Sequence, residues 1–517
     1  IVGDIGLGAG AQTGTAGQVL TSGGSGANAS WSTIEASPTA SGVAHGSIGV
    51  GTAVAVRSDG KFVAVTGTNE ETSTAVVTAN SNGTVSAVTR PTLCYDTAND
   101  KVVAVWQGYS DDDCYAMVGT ISGLSITWGV PVKYDGNTNA RPNAVAYDST
   151  NERIIIVSNQ DSGGVISSVV GQVSGTGTSG TITFGSKVSV QTGSNNYPSI
   201  AFDSTTGRVI ATWRSSNVGK AKIGTISGNS VTWGSETSWT TNTIEKTKVA
   251  CQGGYAVAIG SGSGSAATYN VGQIASSGNS ITWGTQATIA TITSDTAHVA
   301  ADPNTGIWAI QAQDPGDSMV KLHPATRSGS TLTFGTIKQI YTGTGPTNNQ
   351  SLCWAGGENL FFSTFSAGSS ASAGQQFVTS TISGDGAAVT KVSNPQVFLV
   401  SNSGNDQPDA SASTHTTGGK CVIFIQNNAD SRNGWNAVEQ VRISTGTSGS
   451  YVGLSNAAYT NGQTATVSIV GSVDTNQSGL TPATKYYLMA DGNLSSAADS
   501  ENILVGNALS ATKLLLR

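Results

Sequence analysis

Three consecutive aspartates, Asp111, Asp112 and Asp113, follow Tyr109 and Ser110. Carboxylate oxygens accept hydrogen bonds from sugar hydroxyls and bind hard cations such as Ca²⁺, and an aromatic ring beside them adds a stacking face. Similar groups stand at Asn69, Glu70 and Glu71, and again at Asn427, Asn428, Asp430, Arg432, Asn433 and Trp435. The candidate ligand-binding set is therefore Glu70, Glu71, Tyr109, Asp111, Asp112, Asp113, Arg432 and Trp435. The competing reading is of polar loop tips that do no more than face water. The two readings part on whether the elements bearing these residues are neighbours.

Other chemistry finds little support. His45, His298, His323 and His415 are scattered, without the HExxH spacing of a metal-bound hydrolase, and there is no GxSxG nucleophile turn. Glycoside hydrolysis needs two facing carboxylates, and nothing marks such a pair. Cys94, Cys114, Cys251, Cys353 and Cys421 lie far apart with no CxxC, so neither a zinc site nor a disulfide framework is expected. Three of them sit in apolar runs and read as small buried hydrophobes. Gly6, Gly8 and Gly10 lack the Lys-Ser/Thr and the strand–helix setting of a phosphate loop. The expectation is a protein without catalytic residues, cofactor or resident metal.

Net charge is −7 with only 24 Lys and Arg, and no basic cluster stands out. Nucleic-acid binding requires clustered cations, so no nucleic-acid partner is expected. The longest apolar runs, such as Ile154 to Val157, are far too short to span a bilayer, and no signal-peptide layout is present. A chain that begins at Ile1 rather than Met reads as a fragment or a processed form.

The elements that position these residues form a repeat. GTISGLSITWG (119–129), SGTGTSGTITFG (174–185), GTISGNSVTWG (224–234), IASSGNSITWG (274–284) and TRSGSTLTFG (326–335) are variants of one phrase. Its aromatic falls at Trp128, Phe184, Trp233, Trp283 and Phe334, about every fifty residues. A second phrase precedes it, as in RPNAVAYDSTNERIIIV (141–157) and YPSIAFDSTTGRVIATW (197–213). Each unit reads as a first strand ending in Tyr-Asp or Phe-Asp, an Asx-type turn, a β-branched second strand, a variable loop, a third strand, a Ser-Gly-Asn-Ser turn and a fourth strand carrying Thr-Trp-Gly. The periodic aromatic reads as packing between neighbouring units, with sugar stacking as the alternative. Charged residues are 11% of the chain and glycine 66 of 517, which fits many short strands and turns.

Four strands per fifty residues predict an all-β fold, a β-propeller of eight four-stranded blades, with seven as the alternative count. The units run 47–90, 91–140, 141–196, 197–245, 246–295, 296–346, 347–406 and 407–444. The last lacks its Thr-Trp-Gly strand. Residues 27–37, with Trp31, are expected to supply it by pairing 30–36 with 437–444, which would remove the open edges. The domains are then a glycine-rich connector or shaft at 1–26, the propeller at 27–444 and a small β domain at 445–517. Closure would make units eight, one and two neighbours and bring the candidate loops together.

The ends carry a resemblance. GTAGQVLTSGGSGANASW (14–31) resembles the Gly-Gln-x-Leu-x-Ser-x-Gly…Trp segment of bacteriophage tail-fibre and virion appendage proteins. The string from Ser455-Asn456-Ala457 through Asn476-Gln477-Ser478-Gly479-Leu480-Thr481 and Tyr486-Tyr487 to Gly492-Asn493-Leu494-Ser495 resembles a module near the C-termini of phage fibres. The Ser-Gly-x-Ser-Ile-Thr-Trp-Gly units resemble repeated blades of marine and cyanobacterial phage proteins. The resemblance implies a protein on the virion surface that binds other virion proteins and a host cell-surface glycan or protein receptor, with no membrane insertion and trimerisation, if any, through the termini. Alternatives are a capsid head fibre or decoration protein, a secreted bacterial adhesin or filament subunit, and a carbohydrate hydrolase. The repeats also resemble in part the Asp-box of sialidases, Ser-x-Asp-x-Gly-x-Thr-Trp, but the units read Ser-Gly-Asn-Ser-Val-Thr-Trp and lack its Asp.

Overall fold

The computed structural model describes the chain except for residues 1–17, 22–29, 34–37, 45, 57–59, 66–79, 82–87, 110, 123–124, 137–139, 161–163, 194, 263–264, 290–291, 293–296, 315–318, 343–346, 356–359, 367–374, 392–395, 400–406, 414–419, 428–432, 441–449, 490 and 499–501. The described residues are all-β: antiparallel sheets, with one 3-10 turn at Gly177–Ser179 and no α-helix. The chain divides into two compact units, one of residues 72–443 and one of residues 1–71 with 444–517.

Among the described residues the larger unit holds seven sheets: 88–135, 140–191, 195–240, 246–289, 297–342, 347–399, and 407–440 with 80–81. They are called sheets 1 to 7 below. Sheets 1 to 6 are each a four-strand meander whose fourth strand is broken in two. In sheet 3, Ser230–Trp233 and Thr237–Thr240 pair with successive stretches of Val218–Ser227. These sheets correspond to the units read from 91 to 444.

The physics of the repeat is visible in the aromatic and its two glycines. Trp233 lies directly opposite Gly224, and Phe184 opposite Gly171. A Cβ on Gly224 would stand 2.8 Å from the indole, so only glycine lets the ring lie flat across the strand. The glycine after the aromatic has another task. A Cβ on Gly234 would meet the Asn279 carbonyl oxygen of the next sheet at 2.0 Å, and one on Gly185 the Asn229 carbonyl oxygen at 1.9 Å. The break in the fourth strand is thus where the neighbouring sheet's turn is seated.

Polar residues complete this join. The buried Asp148 carboxylate accepts from the Thr150 and Asn151 backbone N–H groups and the Asn151 amide, at 2.8, 3.0 and 2.8 Å. Asp96 holds its own turn in the same way. Asp203 also accepts from Gly254 N–H in sheet 4, at 3.1 Å. Arg153 donates to Asn229 Oδ1 of sheet 3 at 2.8 Å, and Arg208 to the Gly278 carbonyl of sheet 4 at 3.0 Å. Asn229 and Asn279 donate back to Thr183 and Thr232 carbonyls of the preceding sheets. Apolar clusters fill the spaces between consecutive sheets, for example Val157, Val170 and Ile166 against Ile200, Ala211 and Trp213.

The first strands pack on one another in chain order from Val88–Asp96 to Gln407–Ser413. Gln407–Ser413 in turn packs on Val88–Asp96, and Phe424 of sheet 7 enters the cluster of Trp106, Met117 and Trp128 in sheet 1.

Two expectations are corrected. Ser30–Thr33 does not pair with 437–440; it pairs with Gln18–Thr21, placing Trp31 opposite Leu20, while residues 34–36 and 441–444 of the expected pairing lie outside the described residues. The strand completing sheet 7 is Asn80–Ser81, opposite Asn436 and Trp435. The described strands within 47–90 do not form a sheet of their own. Ala53–Val56 and Phe62–Ala64 join Thr39–Val43, Tyr451–Ser455 and Thr464–Ser468 in the smaller unit. That segment has neither repeat phrase, and its apolar residues Ala53, Ala55 and Val65 instead find Leu454, Leu488, Leu514 and Leu516. The smaller unit's second sheet spans 473–516. Its Lys485–Leu488 and Leu494–Ser495 form the hairpin expected at Gly492-Asn493, with Asp491 accepting from the Asn493 backbone and amide.

Candidate functional site

Tyr109 to Asp113 join the second and third strands of sheet 1. Tyr109 is exposed. The turn is closed by backbone bonds between Gly108 and both Asp112 and Asp113, and Asp112 takes a left-handed φ of 58°. Each carboxylate is held by a different protein group. Asp111 accepts from the Tyr115 hydroxyl at 2.7 Å and from Asp113 N–H at 3.2 Å. Asp112 accepts from the Gln107 amide at 3.0 Å, and Asp113 from Lys133 Nζ at 2.5 Å. The Asp111 hydrogen bond pushes the Tyr115 phenol up to about 12, and Asp113 raises Lys133.

The three aspartates therefore diverge. Among the described residues no cluster of three or more His, Cys, Asp or Glu is placed to hold a metal. What the turn offers a ligand is Tyr109 and the outer carboxylate oxygens. Arg90, at the start of the first strand, donates to Gln107 at 3.4 Å, so the turn is coupled to the inner strand.

Of the other candidates, Glu70, Glu71 and Arg432 lie outside the described residues. Trp435 is on Asn433–Gln440, opposite Ser81. Sheets 1 and 7 are neighbours through Phe424, as loop convergence requires.

The sequence-derived set omits a second group at the same end of the larger unit. Tyr197 is 43% exposed, with a φ of 52°, and the Arg214 guanidinium lies 5.5 Å from its ring centroid. The Tyr197 carbonyl accepts from the Thr247 hydroxyl of sheet 4 at 3.5 Å, and Thr247 bonds Thr212 at 2.9 Å. Lys246 and Lys248 flank Thr247 and are half-buried. Lys248 pairs with Ile259 as His298 pairs with Gln311, so lysine and histidine hold equivalent places in adjacent sheets. Burial, then Lys248 and Lys246, push the His298 imidazole well below its usual range. The signal was available as a departure from the repeat: sheet 3 has Ser199, opposite Thr212, at that place.

The buried thiols are inert. Burial pushes Cys114 up to about 12, and Cys94 and Cys251 are raised by the same cause; none of the five cysteines is in a disulfide.

No family model matches the chain, and no curated protein sequence matches it. Among solved structures it is similar to a protein from Lactobacillus plantarum, at 16% identity over 61% of this chain and 87% of that one, with a TM-score of 0.43. It is also similar to a putative 6-phosphogluconolactonase from Bacteroides fragilis, at 9% identity over 68% and 98%, TM-score 0.41. A sialidase from Trypanosoma rangeli matches at 12% identity over 78% and 58%, TM-score 0.41. These are β-propeller-like proteins, and likeness at this level says nothing of activity.

Proposed function

We propose that the chain is a recognition protein of a phage virion appendage, with the larger unit closed as a seven-bladed propeller that presents variable turns to a host-surface glycan. The packing of Gln407–Ser413 on Val88–Asp96 and of Phe424 on Trp106 and Trp128 supports a count of seven blades. Asn80–Ser81 then plays the closing role that the sequence had suggested for residues 27–37.

One observation supports binding by the turns. The recurring polar groups, such as Asp148, Arg153 and Asn229, are occupied in joining strands and sheets. The turns between second and third strands instead differ in sequence from sheet to sheet. In sheet 3 it is the tight pair Ser216-Asn217, both at positive φ, and in sheet 1 the acidic Tyr109–Asp113. A rigid frame with variable tips is the arrangement of a binding scaffold. The phage assignment rests on the terminal sequence resemblance, and other virion proteins would be the partners of the ends.

Two measurements test this. Antibody against the purified chain, applied to phage particles, should label an outward-facing appendage. The labelled chain should adhere to bacterial cells and lose adhesion when surface polysaccharide is stripped. Label confined to the particle interior, or adhesion indifferent to stripping, contradicts the reading.

A further inference from the structure

The turn between the second and third strands of sheet 1 is tied to the side chains beneath it, and these lead to sheet 7. Asp111 Oδ2 accepts from the Tyr115 hydroxyl at 2.7 Å, and Asp111 Oδ1 accepts from Asp113 N–H at 3.2 Å. One carboxylate thus joins a phenol to the backbone of the turn. A Cβ on Gly108 would collide with that carboxylate, so glycine at this place lets Asp111 lie against the strand. Tyr115 stands directly opposite Trp106 in register and stacks on it, with ring centroids 5.8 Å apart and planes at 20°. Trp106 in turn meets Phe424 of sheet 7 at 6.2 Å, and both are buried in the cluster that joins the two sheets. The contacts Phe424–Trp106–Tyr115–Asp111 are therefore continuous. The place of Tyr115 is taken by Ser167, Lys220, Thr268, Lys321 and Gln376 in sheets 2 to 6, none of which brings an aromatic ring and a hydroxyl together. That departure from the repeat falls where the acidic turn meets the seam between sheets 7 and 1. The stacking itself does not require the hydroxyl, since phenylalanine would cover Trp106 equally well.

We infer that Tyr115 is a positioning residue of this turn: its hydroxyl aims Asp111, and its ring transmits the state of the seam between sheets 7 and 1 to the conformation in which the turn meets a ligand. A turn held in its binding conformation loses less entropy on binding, so release from Tyr115 weakens affinity without removing a contacting group. Coupling of this kind is reciprocal, and a ligand that holds the turn also tightens the seam. The inference rests on the reading of the turn as a recognition element and deepens it by naming what regulates that element.

The test is a double-mutant cycle in the full chain, read by amide hydrogen exchange at Asp113 and by adhesion of the labelled protein to bacterial cells. Tyr115→Phe keeps the ring and its stacking. It should leave the denaturation midpoint near the parent's, weaken adhesion several-fold and speed exchange at Asp113 about tenfold, as loss of a charge-assisted hydrogen bond does. Phe424→Leu should speed exchange at Asp113 in the parent and add little in the Tyr115→Phe background, where the link is already cut. Phe424→Met serves if the leucine variant does not fold. Trp213→Phe, in the seam between sheets 2 and 3, is the control for general loosening and should leave Asp113 unchanged. Unchanged exchange at Asp113 in Tyr115→Phe, additive effects of the two substitutions, or an equal response to Trp213→Phe overturns the inference. The two readings fail separately. Exchange that follows the cycle while adhesion stays at the parent's level sinks the adhesion reading of this turn and keeps the coupling. Adhesion lost in Asp111→Ala alongside additive exchange sinks the coupling and keeps the adhesion reading.

Discussion

Phe424 and Trp128 meet with their ring centroids 5.7 Å apart, one from sheet 7 and the other from sheet 1. Trp106 stands 6.2 Å from the same phenylalanine. Phe424 is fully buried there, so the first and last sheets of the larger unit share one apolar cluster.

Phe424→Ala should therefore cost more than a change in an interior of one sheet. Removing a buried phenylalanine destabilises by about 3–5 kcal/mol. Chemical denaturation should report that loss, and limited proteolysis should cut near residues 80 and 435 first. A cost under about 1 kcal/mol would mean the cluster does not hold the two sheets together.

Gly234→Ala places a methyl 2.0 Å from a neighbouring carbonyl oxygen and should cost about 1–3 kcal/mol through forced separation of sheets 3 and 4. Gly384→Ala, where no atom lies within 4 Å, is the matched control and should be near neutral. Equal denaturation midpoints for the two variants would refute the seating of the Asn279 turn.

Asp203 serves two sheets, through Thr206 and Gly254. Asp203→Ala leaves those donors without it, at about 1–3 kcal/mol for each that stays unsatisfied. Hydrogen exchange should show the Gly254 amide losing protection in the variant and keeping it in the parent.

The Tyr115 phenol is pushed up to about 12, above the ordinary value of 10.0, because Asp111 accepts its hydrogen bond. The sign follows: a raised pKa stabilises the fold fully below pH 10, and that contribution fades as pH climbs towards 12. Ultraviolet titration of Asp111→Asn should bring one phenol back towards 10.

His298 titrates in the opposite sense. Its imidazole stays neutral in the fold below pH 6.5, where the unfolded chain takes up a proton, so stability present above 6.5 declines as pH falls to the depressed folded value. His298→Gln should flatten that part of the stability–pH profile. An unchanged profile would mean the imidazole is not held neutral by burial and by Lys248 and Lys246.

Much of the scaffold was legible from residue types at fixed spacing. The Asp at the first turn, the aromatic and the glycine after it recur because each solves a local steric or hydrogen-bonding problem once per sheet. Strand pairing within a sheet joins residues close in the chain, so periodicity reports it directly. The Tyr109–Asp113 turn was located in the same way. The direction of each carboxylate was not, since Tyr115, Gln107 and Lys133 reach it only after the strands pair.

Partner choice at the ends of the repeat belongs to the tertiary structure. The sequence pointed to residues 27–37 as the edge of sheet 7, yet Asn80–Ser81 pairs there, and a short strand carries too little pattern to be recognised beforehand. Residues 53–64 mimic a unit's alternation, yet their apolar side chains are buried by Leu454 and Leu514, far along the chain. Lys248 and His298 likewise hold equivalent places on adjacent first strands only because register sets them there. Composition records only that such residues exist; packing decides which neighbours each one meets.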